Sequence, residues 1–139
     1  MKLTCLVDNT VRFGTTFWGE HGLSILIESA AGRVLLDTGA SREVLLHNLG
    51  TAKISPGSIS AVVLSHAHRD HTGGLVALLA ERTDLPVYAH PDIWRERFSR
   101  RGGRVRAIGL PEDAVEPLRR ARPRLSTGPQ EVLPGVWTS

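Results

Sequence analysis

Short bursts of apolar residues, alternating or continuous, occupy Lys2–Val7 and Leu23–Ser29, and a third, Arg33–Asp37, follows after Ala30-Ala31-Gly32. A period of two with a short glycine-containing link predicts strands and a hairpin at the start of the chain. Thr38-Gly39-Ala40 is turn chemistry, Ser41 is placed to cap a helix, and Val44, Leu45 and Leu49 fall on one helical face that Gly50 can terminate. Pro56-Gly57 breaks the chain again. Ile59–Leu64 is then a continuous β-prone apolar run, the pattern of a strand covered on both faces. Gly73-Gly74 precede a helical run, Leu75–Ala80, and Leu85–Ala89 reads as the next strand. A helix starting at Pro91 and running through Ile93, Trp94 and Phe98 is expected, then one from Pro111 through Leu118, then a last strand within Val132–Trp137. Strands alternating with helices give an α/β (α+β) class.

The 139 residues, 41% of them hydrophobic, suffice for one core, so residues 1–139 are expected to form a single domain. Cys5 is the sole cysteine, which excludes an internal disulfide and a thiolate zinc cluster. The apolar stretch Leu3–Val7 stops at Asp8, too short for a signal core or a membrane span, and the chain reads as cytoplasmic, with no membrane partner. A net charge of +3 comes mainly from arginines of the second half, including Arg95, Arg97, Arg100, Arg101, Arg104 and Arg106. Such a field attracts phosphates. Aromatic residues for base stacking are sparse there, with Trp94 and Phe98 expected to pack on a helix, so nucleic acid is not the expected partner.

Candidate chemistry concentrates in Ser65-His66-Ala67-His68-Arg69-Asp70-His71, on the loop between the buried strand and the following helix. His66 and His68, spaced i and i+2 on extended chain, point the same way and can hold one cation. Asp70 and His71 follow where the chain turns into a helix and can reach a second cation nearby. Two such ions can share a hydroxide and polarise a carbonyl or phosphoryl oxygen, with Asp70 orienting the nucleophile. Asp37 closes its strand and is placed either to brace the ligand loop or merely to cap a turn. His90 ends a strand on the same edge and could touch substrate or cap a helix. His21 could approach substrate from its loop, but like His47 it lacks a partner at ligand spacing and is read as structural.

The stretch SHAHRDHTGG, Ser65–Gly74, together with Leu36-Asp37-Thr38-Gly39, resembles the metallo-β-lactamase superfamily and its H-x-H-x-D-H motif. Leu6–Thr10, Glu20–Ser24 and Val87–Pro91 resemble one branch of it, the metal-dependent hydrolases labelled dihydropterin-ribofuranosylaminobenzene-phosphate synthases. The resemblance implies an αββα sandwich, with the first half present here and the second half, with its later histidine and aspartate ligands, largely missing. It implies His66 and His68 on a first metal, Asp70 and His71 on a second, and Asp37 supporting the loop. The implied ion is zinc, one or two per chain, with manganese or iron as alternatives. The expected activity is hydrolysis of a small, phosphorylated or pterin-like substrate by a metal-activated hydroxide. With about two protein ligands per ion where a catalytic zinc usually has three, the alternative is a non-catalytic metal-binding fragment, truncated at its C-terminus, or a half-protein completed by a homo-oligomer. A nuclease-like protein is a third reading.

Overall fold

The computed structural model describes residues 1–139. A six-stranded sheet runs in the order β1 (Lys2–Val7), β2 (Ser24–Ser29), β3 (Gly32–Leu36), β4 (Ala61–Val63), β5 (Val87–Ala89) and β8 (Arg124–Leu125). The first three strands are antiparallel, with Ala30 and Ala31 turning the β2–β3 hairpin as expected, and the rest join in parallel. The connections carry α1 (Arg42–Thr51), α2 (Arg69–Thr72), α3 (Leu75–Glu81) and α4 (Glu112–Arg120). No helix is long and apolar enough to cross a membrane.

The side-chain alternation of the central strands sorts residues onto two faces. Leu35, Val62, Val87 and Ala89 point into the larger core with Leu45 and Leu49 of α1, Leu75 and Leu78 of α3 and Leu118 of α4. Val34, Ala61 and Tyr88 point the other way, against Val132 and Val136. The strand β4 is therefore covered on both faces, as its unbroken apolar run requires. A C-terminal hairpin, β9 (Glu131–Leu133) and β10 (Val136–Trp137), lies over part of this second face.

Three expectations need correction. The segment Val132–Trp137 is two short strands, because Gly135 takes φ +79° and folds the chain back. The helix α1 passes through Gly50 to Thr51, and the reversal comes at Lys53, with φ +59°. The chain after Pro91 makes only a 3-10 turn, Pro91–Trp94, and then a hairpin of β6 (Phe98–Arg101) and β7 (Arg104–Ala107). Gly102-Gly103, at φ +54° and +77°, form the two-residue turn with both central residues left-handed that best matches strand twist. Phe98 is consequently 59% exposed rather than packed on a helix.

Asn48, buried on α1, ties this helix to the chain around β1. Its Nδ2 donates to the Leu6 and Trp18 carbonyls at 2.6 and 2.8 Å, and its Oδ1 accepts the Trp18 N–H at 2.8 Å. Replacing it with alanine strands these backbone groups without partners. Asn48→Ala is expected to lower unfolding stability by about 2–4 kcal/mol, read from urea midpoints at unchanged m-value.

Candidate active site

The strands β3 and β4 are parallel neighbours, so their C-terminal ends meet at one edge, where Asp37 leaves β3 and Ser65 follows β4. Asp37 has φ +57°, a left-handed conformation that turns its carboxylate inward, and its side chain is 0% exposed. Its Oδ1 accepts the Ser65 N–H at 2.8 Å. Its Oδ2 accepts the Ser65 hydroxyl at 2.6 Å and the His71 Nδ1–H at 2.7 Å. A buried carboxylate costs several kcal/mol in lost hydration, and three charge-assisted donors, each worth roughly 1.5–3 kcal/mol, offset that cost.

The network sets two tautomers. Since the Ser65 hydroxyl donates to Asp37, its oxygen accepts from His66 Nδ1, 2.9 Å away. His71 donates from Nδ1 directly. Both rings therefore hold their hydrogen on Nδ1 and keep the Nε2 lone pair free. Burial pushes the His66 pKa below the ordinary histidine value, and the neighbouring His71 and His68 push it the same way. The ring of His66 lies 4.6 Å from that of His68 and 4.1 Å from that of His71, centroid to centroid. Asp70 Oδ2 lies 3.4 Å from His71 Nε2.

The backbone around the cluster is packed without slack. His71 C=O accepts the Thr38 N–H at 2.8 Å and its hydroxyl at 3.0 Å, while Gly73 N–H donates to Gly39 C=O at 2.9 Å. A Cβ on Gly73 would stand 2.0 Å from the Ala40 carbonyl oxygen, so only glycine fits there. On the other side, Leu23 N–H donates to Asp70 C=O at 3.2 Å, and a Cβ on Gly22 would stand 2.3 Å from that oxygen.

Residues 18–138 match the model of the metallo-beta-lactamase superfamily. The chain belongs to the metallo-β-lactamase superfamily. It is 34% identical over 99% of its length to the 7,8-dihydropterin-6-methyl-4-(beta-D-ribofuranosyl)-aminobenzene-5'-phosphate synthase of Methanocaldococcus jannaschii, and covers 49% of that protein. Among solved structures it matches Tm1679, a metal-dependent hydrolase of the beta-lactamase superfamily, at 27% identity and TM-score 0.69 over 94% of this chain and 44% of that one. A quorum-quenching N-acyl homoserine lactone lactonase shares the fold, with 20% identity and TM-score 0.60 over 83% of this chain and 48% of that one. The chain thus spans about half the length of these relatives, and the metallo-β-lactamase fold it shows is a partial one.

Within that partial metallo-β-lactamase fold, the expected residues divide into two sets. His66, His68, Asp70 and His71 come together on one loop, with Asp37 beneath them. His90 stands apart: its Nδ1 accepts the Asp92 N–H at 3.0 Å, which caps the 3-10 turn, and with Ser65 it lines a cavity of about 370 Å³ against the second sheet face. Ile27, Val63, Tyr88 and Trp137 line the same cavity. His47 stacks on Trp18 at 3.8 Å, as a structural residue should. His21, expected either to approach substrate from its loop or to be structural, lies beside the cluster, with Nε2 3.4 Å from Asp70 Oδ2. Ser65 and Glu20 were not among the expected residues. Glu20 Oε1 accepts the Ala40 and Ser41 N–H groups at 2.8 and 3.0 Å, pinning the turn after Asp37. The signal for both Glu20 and His21 was their position beside Gly22, whose lack of a side chain lets the loop approach Asp70.

Asp37→Asn exchanges one acceptor oxygen for an amide that faces a donor. The variant is expected to lose about 2–4 kcal/mol of stability in urea unfolding and to lose the slowly exchanging His71 Nδ1–H resonance in proton NMR. Retention of that resonance would show that Asp37 does not hold the ring.

Proposed function

We propose that this chain carries the cation-binding half of a metal-dependent hydrolase site that acts on a small, phosphorylated or pterin-like substrate. The observation that supports it most is the Asp37 network. It leaves His66 and His71 with free Nε2 lone pairs beside the Asp70 carboxylate, while His68 stands against His66. Imidazoles and a carboxylate are the donor set of a borderline cation such as zinc, with manganese or iron as alternatives. No three histidine, cysteine, aspartate or glutamate side chains form a closed cation cage as they stand. The donor chemistry fits such an ion.

A divalent cation supplies an acidified water and a Lewis acid toward a carbonyl or phosphoryl oxygen. The residues of the chain do the rest. His66, His68 and His71 present nitrogen, Asp70 presents oxygen and can accept a hydrogen bond from the attacking water, and Asp37 with Ser65 keeps two rings from turning over. The cavity of about 370 Å³ has Ser65 and His90 among its polar lining and an apolar wall, a volume within the usual range for small ligands. The pterin and phosphate of the M. jannaschii synthase's name suggest the substrate class.

A second reading draws on the spans of the comparisons. This chain covers 49% of the M. jannaschii protein and 44% of Tm1679, which favours a half-site completed by another polypeptide segment, including a second copy of the chain. Sedimentation at micromolar concentration, with and without zinc, distinguishes a monomer from a zinc-dependent oligomer.

Elemental analysis after zinc or manganese loading is expected to give one to two ions per chain, and His66→Ala/His68→Ala is expected to lose at least one of them. The loaded chain should hydrolyse a member of a panel of esters, lactones and phosphoesters, and the double variant should not. Metal-free protein after loading, at native circular dichroism, would end the hydrolase reading.

A further inference from the structure

His21 lies in the connection between β1 and β2, remote in sequence from Asp70, yet it completes a symmetric arrangement around that carboxylate. Asp70 Oδ2 stands 3.4 Å from His21 Nε2 and 3.4 Å from His71 Nε2. Both separations exceed the roughly 2.7–3.2 Å of an N–H···O hydrogen bond.

The hydrogens on these rings can be placed from their other partners. Asn9 Oδ1 accepts the Gly22 N–H at 3.1 Å, which identifies that atom as the carbonyl oxygen. The same oxygen faces His21 Nδ1 at 3.2 Å, so Nδ1 carries the hydrogen. His71 Nδ1 carries its hydrogen toward Asp37. In their neutral forms, both rings therefore turn an Nε2 lone pair toward a carboxylate oxygen. Each ring nitrogen then meets the carboxylate oxygen acceptor to acceptor, with no hydrogen between them, an arrangement that a cation stabilises. The spacing agrees with this: donors bound at roughly 2.0–2.1 Å to a tetrahedral ion stand about 3.4 Å apart.

We propose that His21 is a third protein donor, with Asp70 and His71, to a divalent cation of the zinc class. The proposal rests on the cation-site reading above and adds a ligand from outside the H-x-H-x-D-H string. The side chain of His21 is 83% exposed, so its ring can turn to close the cage without disturbing the core. The loop that carries it is already anchored to the site by Leu23 N–H on Asp70 C=O and by Glu20 on the Ser41 turn. An ion at this place would have three protein donors and an open position, the pattern of a catalytic rather than a structural zinc.

The experiment titrates the 139-residue chain with zinc against a chromophoric chelator, and with cobalt(II) by its visible absorption. His21→Ala is expected to weaken the affinity of one ion at least about tenfold and to reduce the tetrahedral cobalt absorption. Its circular dichroism and metal-free melting temperature should stay at wild-type values. In the wild-type chain, the 15N resonance of His21 Nε2 should move from a free lone-pair position to a bound one on adding zinc. Wild-type affinity and cobalt spectrum in His21→Ala, or an unmoved His21 resonance, would overturn the proposal. If His66→Ala/His68→Ala still loses metal in that case, the hydrolase reading stands and only the role of His21 falls. If the wild-type chain binds no ion, both fall together.

Discussion

The buried carboxylate of Asp37 is the constraint on which the site depends. It has three donors and no solvent, so each must stay in place or a buried charge is left under-bonded, a far larger penalty than the loss of an exposed contact. Two of those donors belong to Ser65, at the start of the histidine loop, and the third belongs to His71, at its end. One side chain therefore spans the loop like a clamp, and the positions of His66 and His68 between the fixed points follow from the chain geometry. The left-handed φ of Asp37 is part of the same device, because it turns the chain out of β3 at the residue whose carboxylate meets Ser65 and His71.

Much of this was legible in the residues. The run Ile59–Leu64, too apolar for a half-exposed strand, announced β4, and the polar cluster after it could only lie on the loop at the C-terminal end of that strand. Ser41 as the cap of α1 and Pro111 at the start of α4 were likewise readable, since capping chemistry is local. Asp37 was readable as a carboxylate at a strand end, but bracing and turn-capping are equivalent in sequence. Only the distances to Ser65 and His71 separate them.

What escaped the sequence reading was set by contacts between distant segments or by backbone signs. His21 looked isolated because ligand spacing along the chain was the test, whereas its partner Asp70 is brought near by pairing of the β1–β2 connection with the histidine loop. The chain from Pro91 to Phe98 looked like one helix because Trp94 and Phe98 are four apart. The deciding signal was Gly102-Gly103: two glycines flanked by equal runs are a hairpin turn. The hairpin leaves Phe98 exposed on the same ribbon as Arg100, Arg101, Arg104 and Arg106.

The two faces of the sheet play different parts in holding the histidine loop. The helix face of the sheet is closed by its own core, which includes Ala67 in the middle of the histidine loop, so the loop is nailed down by an apolar residue between His66 and His68. The site's rigidity therefore comes from the α1, α3 and α4 side and from Asp37. Nothing in that support comes from the second sheet face, where the C-terminal hairpin lies over part of the surface and leaves a cavity. The imidazole positions and the cavity are thus built by different parts of the molecule. The cavity, walled by short strands and loops, can therefore change its lining without disturbing the imidazoles.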